Sequence, residues 1–193
     1  MHSSLFFTSL LALASSAVAA LNNTQEFTLI AEVKPGQAPG LGRFNGLELV
    51  GYHSGAGLND AVFLPAGKGN RAFFNVTDPV VKQPNGEPYY NLIFDLGSSF
   101  PYAPQILNVD FYAEWLPVAI NAGNQTANGA AWYTDDNGLE FTSSPTEPKS
   151  NSFGGWLVCD WFRGVPQLFS KLSYYNSTNP SSCADINLRL NYI

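Results

Sequence analysis

Apolar and polar residues alternate with a period of two along most of the chain beyond its first twenty residues. The alternation is plainest in Phe27-Thr28-Leu29-Ile30-Ala31-Glu32-Val33 and in Ile186-Asn187-Leu188-Arg189-Leu190. This period puts neighbouring side chains on opposite faces of an extended strand. Runs of this kind, bounded by turn-forming residues, predict strands over Glu26–Val33, Gly46–His53, Ala61–Leu64, Arg71–Val76, Tyr89–Leu96, Trp115–Ile120, Ala130–Thr134, Gly138–Thr142, Gly155–Trp161, Gln167–Leu172 and Asp185–Ile193. Asn-Gly pairs at 45–46, 85–86, 128–129 and 137–138 punctuate them, and such pairs accept the positive φ of tight turns. Ser143 to Ser152, rich in Ser, Pro and Thr, reads as an exposed loop, as do residues 34–43 and 77–88. No long stretch past residue 20 carries a helical period. Short strands in this number predict an all-β, single-domain antiparallel β-barrel or sandwich. The echo between Asn45-Gly46-Leu47-Glu48-Leu49 and Asn137-Gly138-Leu139-Glu140-Phe141 keeps a β-trefoil as the alternative, although no third copy follows.

The start of the chain differs from the rest. Leu5 to Leu13 is almost wholly apolar and leads into Ala17-Val18-Ala19-Ala20. An apolar run of this length before an A-x-A site is the pattern of a secretory signal peptide, too short to cross a bilayer. The expected organisation is a signal peptide over 1–20 and one secreted β domain over 21–193. No later segment has the roughly 18 apolar residues of a membrane helix, so membrane insertion is not expected. The chain has two cysteines, Cys159 and Cys183, and in an oxidising compartment each has only the other to pair with, which predicts one disulfide. N-x-S/T sequons at Asn22, Asn75, Asn124 and Asn176 fit a glycosylated secretory product.

Charge and chemistry narrow the function classes. Charged residues are 12% of the chain and the net charge is −6, with no basic run, which disfavours nucleic acid and anionic lipid as partners. Beyond the leader there is a single histidine, His53, in Gly51-Tyr52-His53-Ser54-Gly55. A hydrolase built on His53 with Asp60 or Glu114 is one alternative reading, but no Gly-x-Ser-x-Gly elbow accompanies it and no catalytic residue is assigned. One histidine and two paired cysteines cannot supply a zinc site, and Asp135-Asp136-Asn137 reads as a hairpin turn before it reads as calcium ligands. No metal or cofactor is expected. Trp115, Trp132, Trp156 and Trp161, together with His53, are the candidate ligand-binding residues, since exposed indole faces stack on sugar rings.

The most distinctive stretch is Gly154-Gly155-Trp156-Leu157-Val158-Cys159-Asp160-Trp161-Phe162-Arg163-Gly164-Val165-Pro166-Gln167-Leu168-Phe169, followed by Pro180-Ser181-Ser182-Cys183-Ala184-Asp185 and preceded upstream by the Leu47 to Asp60 segment. Together these resemble a family of small secreted proteins of filamentous fungi. More distantly they are similar to fungal cell-wall proteins of the phialide-development type and to secreted elicitors of the plant hypersensitive response. The resemblance implies a β domain at the fungal surface with Cys159 and Cys183 as its disulfide, and it carries no catalytic residues. The distant relatives have further cysteines near the middle of the chain that are missing here. The expected function is therefore a non-enzymatic secreted protein associated with the fungal cell wall or surface, or an effector or elicitor recognised by a host, with cell-wall polysaccharide or a host surface protein as partner. A carbohydrate- or small-ligand-binding module is the alternative.

Overall fold

The computed structural model describes residues 25–76, 81–98, 100–108, 113–123, 131–161, 164–176 and 178–193. The expected signal peptide, the sequons at Asn22 and Asn124, and the Asn128-Gly129 pair lie outside them. Among these residues twelve strands form one sheet: β1 (Phe27–Val33), β2 (Glu48–Gly55), β3 (Leu58–Leu64), β4 (Arg71–Val76), β5 (Tyr90–Asp95), β6 (Tyr102–Ile106), β7 (Trp115–Ala122), β8 (Trp132–Asp135), β9 (Gly138–Phe141), β10 (Phe153–Asp160), β11 (Pro166–Leu172) and β12 (Cys183–Tyr192). Every pairing among the described residues is antiparallel. Following them from β12 through β1, β4, β5, β6, β7, β3, β11 and β10 leads back to β12, so nine strands close into a barrel. Closure removes the unpaired edges that an open sheet would expose. This is the barrel of the two expected architectures, and the trefoil alternative falls away.

Alternation decides what fills the interior. Phe27, Leu29 and Ala31 of β1 point inward with Ile186 and Leu188 of β12, and they meet Phe63, Leu92, Phe94, Ile120 and Trp156 in one continuous core. β10 departs from simple alternation, because Trp156, Leu157, Val158 and Cys159 are all buried. Trp156 and Val158 belong to the barrel core, whereas Leu157 and Cys159 pack on the outside with Phe169 and Cys183 under Trp115. A strand covered on both faces reads as an unbroken apolar run, as this one does.

Two places show tertiary structure overriding local signals. β6 is absent from the expected strands because Pro101 and Pro104 break its pattern; in the barrel Pro104 lies opposite Ile120, where its missing N–H is tolerated. The β8–β9 hairpin turns at Asp136 and Asn137, with the Asp135 carboxylate accepting from the Asn137 N–H at 2.7 Å. Gly138 then takes φ +111°, and a Cβ there would lie 2.1 Å from the Leu188 carbonyl oxygen of β12. The glycine therefore serves a close approach between two backbones as much as a turn. Where the β3–β7 ladder is thin, side chains supply the bonds: Asn59 donates from Nδ2 to the Ile120 carbonyl at 2.8 Å, and Asn121 accepts from the Asn59 N–H at 3.0 Å.

Candidate functional site

The four tryptophans divide by face. Trp132 and Trp156 are 3% and 1% exposed and lie parallel in the core, with ring centroids 5.8 Å apart. The Trp156 indole Nε1 donates to the Leu139 carbonyl at 2.6 Å, which satisfies its one polar atom. Contrary to the sequence expectation, neither ring offers a face to a ligand. The reason is register: both residues occupy the inward set of their strands. Trp115 and Trp161 lie on the outer surface, where each meets Phe169 edge-on at 5.2 and 5.1 Å, and they meet each other edge-on at 5.9 Å. Trp161, 40% exposed, is the outermost member of the group.

This aromatic group stands over the disulfide. Cys159 and Cys183 are direct cross-strand partners on β10 and β12, bonded as expected, with Cα atoms 4.0 Å apart. Leu157, Phe169 and Trp115 surround the sulfurs, so the link is dry on its protein side. The sheet beneath Trp161 is thus tied covalently as well as by its ladder.

His53 lies near the exposed tip of the β2–β3 hairpin, opposite Asn59, and Asp60 lies opposite Tyr52. Direct cross-strand partners share a face and successive residues alternate, so His53 and Asp60 project to opposite sides of the hairpin. His53 and Asp60, one of the two pairs of the hydrolase alternative, are held apart by the register itself. Glu114 precedes β7 and its carbonyl accepts from the Leu172 N–H at 2.9 Å. Asp135, considered for calcium, is occupied with both oxygens on Asn137 in the hairpin turn.

Sequence reasoning missed two concavities. The larger, about 360 Å³, lies at the barrel end where β6, β9 and β11 finish and β7 and β10 begin. Ile106, Leu116, Phe141 and Leu172 supply its apolar wall, and Thr142, Ser143, Ser152 and Ser170 supply hydroxyls. The second, about 320 Å³, runs along the outside of the same loop past Tyr89 and Tyr133, whose rings meet edge-on at 5.7 Å. Cross-strand from Tyr133 stands Glu140. Partial burial, with help from the Asp135 charge and against that of Lys34, pushes its carboxyl up to about 7. Burial also pushes the Tyr133 phenol up to about 12, with Glu140 and Asp135 adding to the effect. The only forewarning of these surfaces was the polar loop Ser143 to Ser152, which is ordered by Asn151: its Oδ1 accepts from the N–H groups of Ser143 and Phe153, both at 3.1 Å.

Of the described sequons, Asn176 is exposed, whereas Asn75 is half-buried on β4. No described helix is long and apolar enough to cross a membrane. No curated protein and no solved structure matches the chain significantly. Residues 24–192, nearly the whole described fold, match one family model, and the chain belongs to that family, the domain of unknown function DUF7907.

Proposed function

We propose that this is a secreted, non-enzymatic surface protein of a fungus that works by binding cell-wall polysaccharide, with the Trp161 face as its contact surface. The observation that carries the reading is the outward aromatic group of Trp115, Trp161 and Phe169, anchored on the Cys159–Cys183 link. An indole held by two edge-on neighbours loses little freedom on binding, and its free face suits the C–H surface of a sugar ring. The expected signal peptide and the disulfide both fit passage through an oxidising export route. The separation of His53 from Asp60 across the hairpin supports a binding role over a hydrolytic one.

The test is a titration of the purified protein with chitin and β-glucan oligomers, following tryptophan fluorescence, alongside sedimentation with the insoluble polymers. One polymer is expected to retain the protein, and Trp161→Ala to weaken retention about tenfold, the scale of a lost aromatic contact. Retention by no polymer, or equal retention of the Trp161→Ala protein, refutes the proposal.

A further inference from the structure

We propose that the barrel-end cavity is a binding site for a small neutral amphiphile, an apolar molecule of about a dozen non-hydrogen atoms with one hydroxyl-like group directed at Ser170. The site is independent of the Trp161 surface and rests on different observations.

The first is register. On β11, Leu168 faces the core, and Ser170 and Leu172 continue the same inward row. A serine between two inward leucines, opposite Leu116 and Trp156 on its neighbouring strands, is out of place in an apolar core unless its hydroxyl has a partner. Ser170 is 2% exposed, lines the cavity, and makes no side-chain hydrogen bond among the described residues. Its hydroxyl is not fully enclosed, and the space that Ser170 lines is the cavity. Thr142, equally buried on the opposite wall, spends its oxygen accepting from the Ser144 N–H at 3.2 Å, which leaves its proton to donate.

The second observation is what the walls lack. None of the described lining residues carries a charge. The nearest cation in sequence, Lys171, turns to the outer face and bonds Asp185 at 2.8 Å. An ionised ligand would shed its water with no counter-charge to meet it, so a carboxylate or ammonium is selected against. The third is size and rigidity. About 360 Å³ has room for roughly twelve waters at the ~30 Å³ each holds in the liquid. The rim does not collapse into this space because Asn151 and the Ser143–Ser152 pair, whose hydroxyls are 2.9 Å apart, brace the loop. Apolar walls with a few convergent polar groups are the usual make-up of a preformed small-molecule site.

The probes are 1-decanol, 1-chlorodecane and decanoate at pH 7, each displacing the neutral fluorophore 2-naphthol from the purified protein. Saturable binding of one fluorophore per chain is expected, with decanol displacing it better than decanoate. Ser170→Ala should weaken decanol about three- to tenfold, the worth of one hydrogen bond, and leave chlorodecane unchanged. Leu172→Trp, which fills the cavity from a half-buried position, should abolish displacement by all three while the near-ultraviolet circular dichroism stays native. If that variant does not fold, the Ser170→Ala comparison decides alone. Absence of saturable binding, equal displacement by decanol and decanoate, or a Ser170→Ala protein with unaltered decanol affinity overturns the proposal.

Discussion

Replacing Glu140 by Gln tests the electrostatics of the β8–β9 hairpin. The carboxyl is pushed from its ordinary 4.5 up to about 7, chiefly because folding takes it out of water, with the Asp135 charge adding and Lys34 opposing. The folded chain therefore holds this proton more tightly than the unfolded chain does. The stabilisation from that proton is complete below about pH 4.5 and is lost as the pH climbs through 7. Across that interval of about 2.5 pH units, at about 1.36 kcal/mol each, the upper limit is about 3.4 kcal/mol. Water reaches part of the side chain, which lowers the expected loss to about 1–2 kcal/mol. Glutamine has nearly the same shape and never ionises. Wild type and Glu140→Gln should therefore melt together at about pH 4, and the variant should melt about 2–8 °C higher at pH 8, given about 2–4 °C per kcal/mol for a chain of this size. Scanning calorimetry at fixed ionic strength measures both. Parallel melting curves from pH 5 to 8 would refute the argument that folding desolvates this carboxyl.

Gly138→Ala should destabilise by more than about 3 kcal/mol, because the positive φ and the contact with the Leu188 carbonyl oxygen both oppose a Cβ; urea unfolding reads the loss. Replacing Cys159 and Cys183 together by Ala should cost about 3 kcal/mol, the entropy of closing a loop of 24 residues' separation, seen as a lower urea midpoint. Acrylamide quenching should separate two shielded tryptophans from two accessible ones, and Trp161→Phe should remove the more accessible component. Glu32 behaves oppositely to Glu140. The Asn187 amide and the Arg189 guanidinium hold its carboxyl below the usual range, so its contribution is present above about pH 4.5 and fades in more acidic solution. Glu32→Gln should flatten the acid limb of the stability profile.

The amino-acid sequence by itself determined the strand content, most strand positions and the disulfide. Those depend on local alternation, on turn residues beside each strand and on there being a single thiol pair, all of which survive without knowing what lies across the sheet. It could not show that Pro104 sits in a strand, since a proline's tolerance depends on which side its ladder partner lies. Nor could it sort the tryptophans. Trp132 and Trp156 look no different from Trp115 and Trp161 until register assigns one pair to the core and the other to the outer face. Only the tertiary structure brought Ser170, Leu116, Thr142 and Phe141 to one barrel end, from three segments far apart in the chain. A cavity is made by closure, and closure is a property of the whole ring of strands rather than of any one of them.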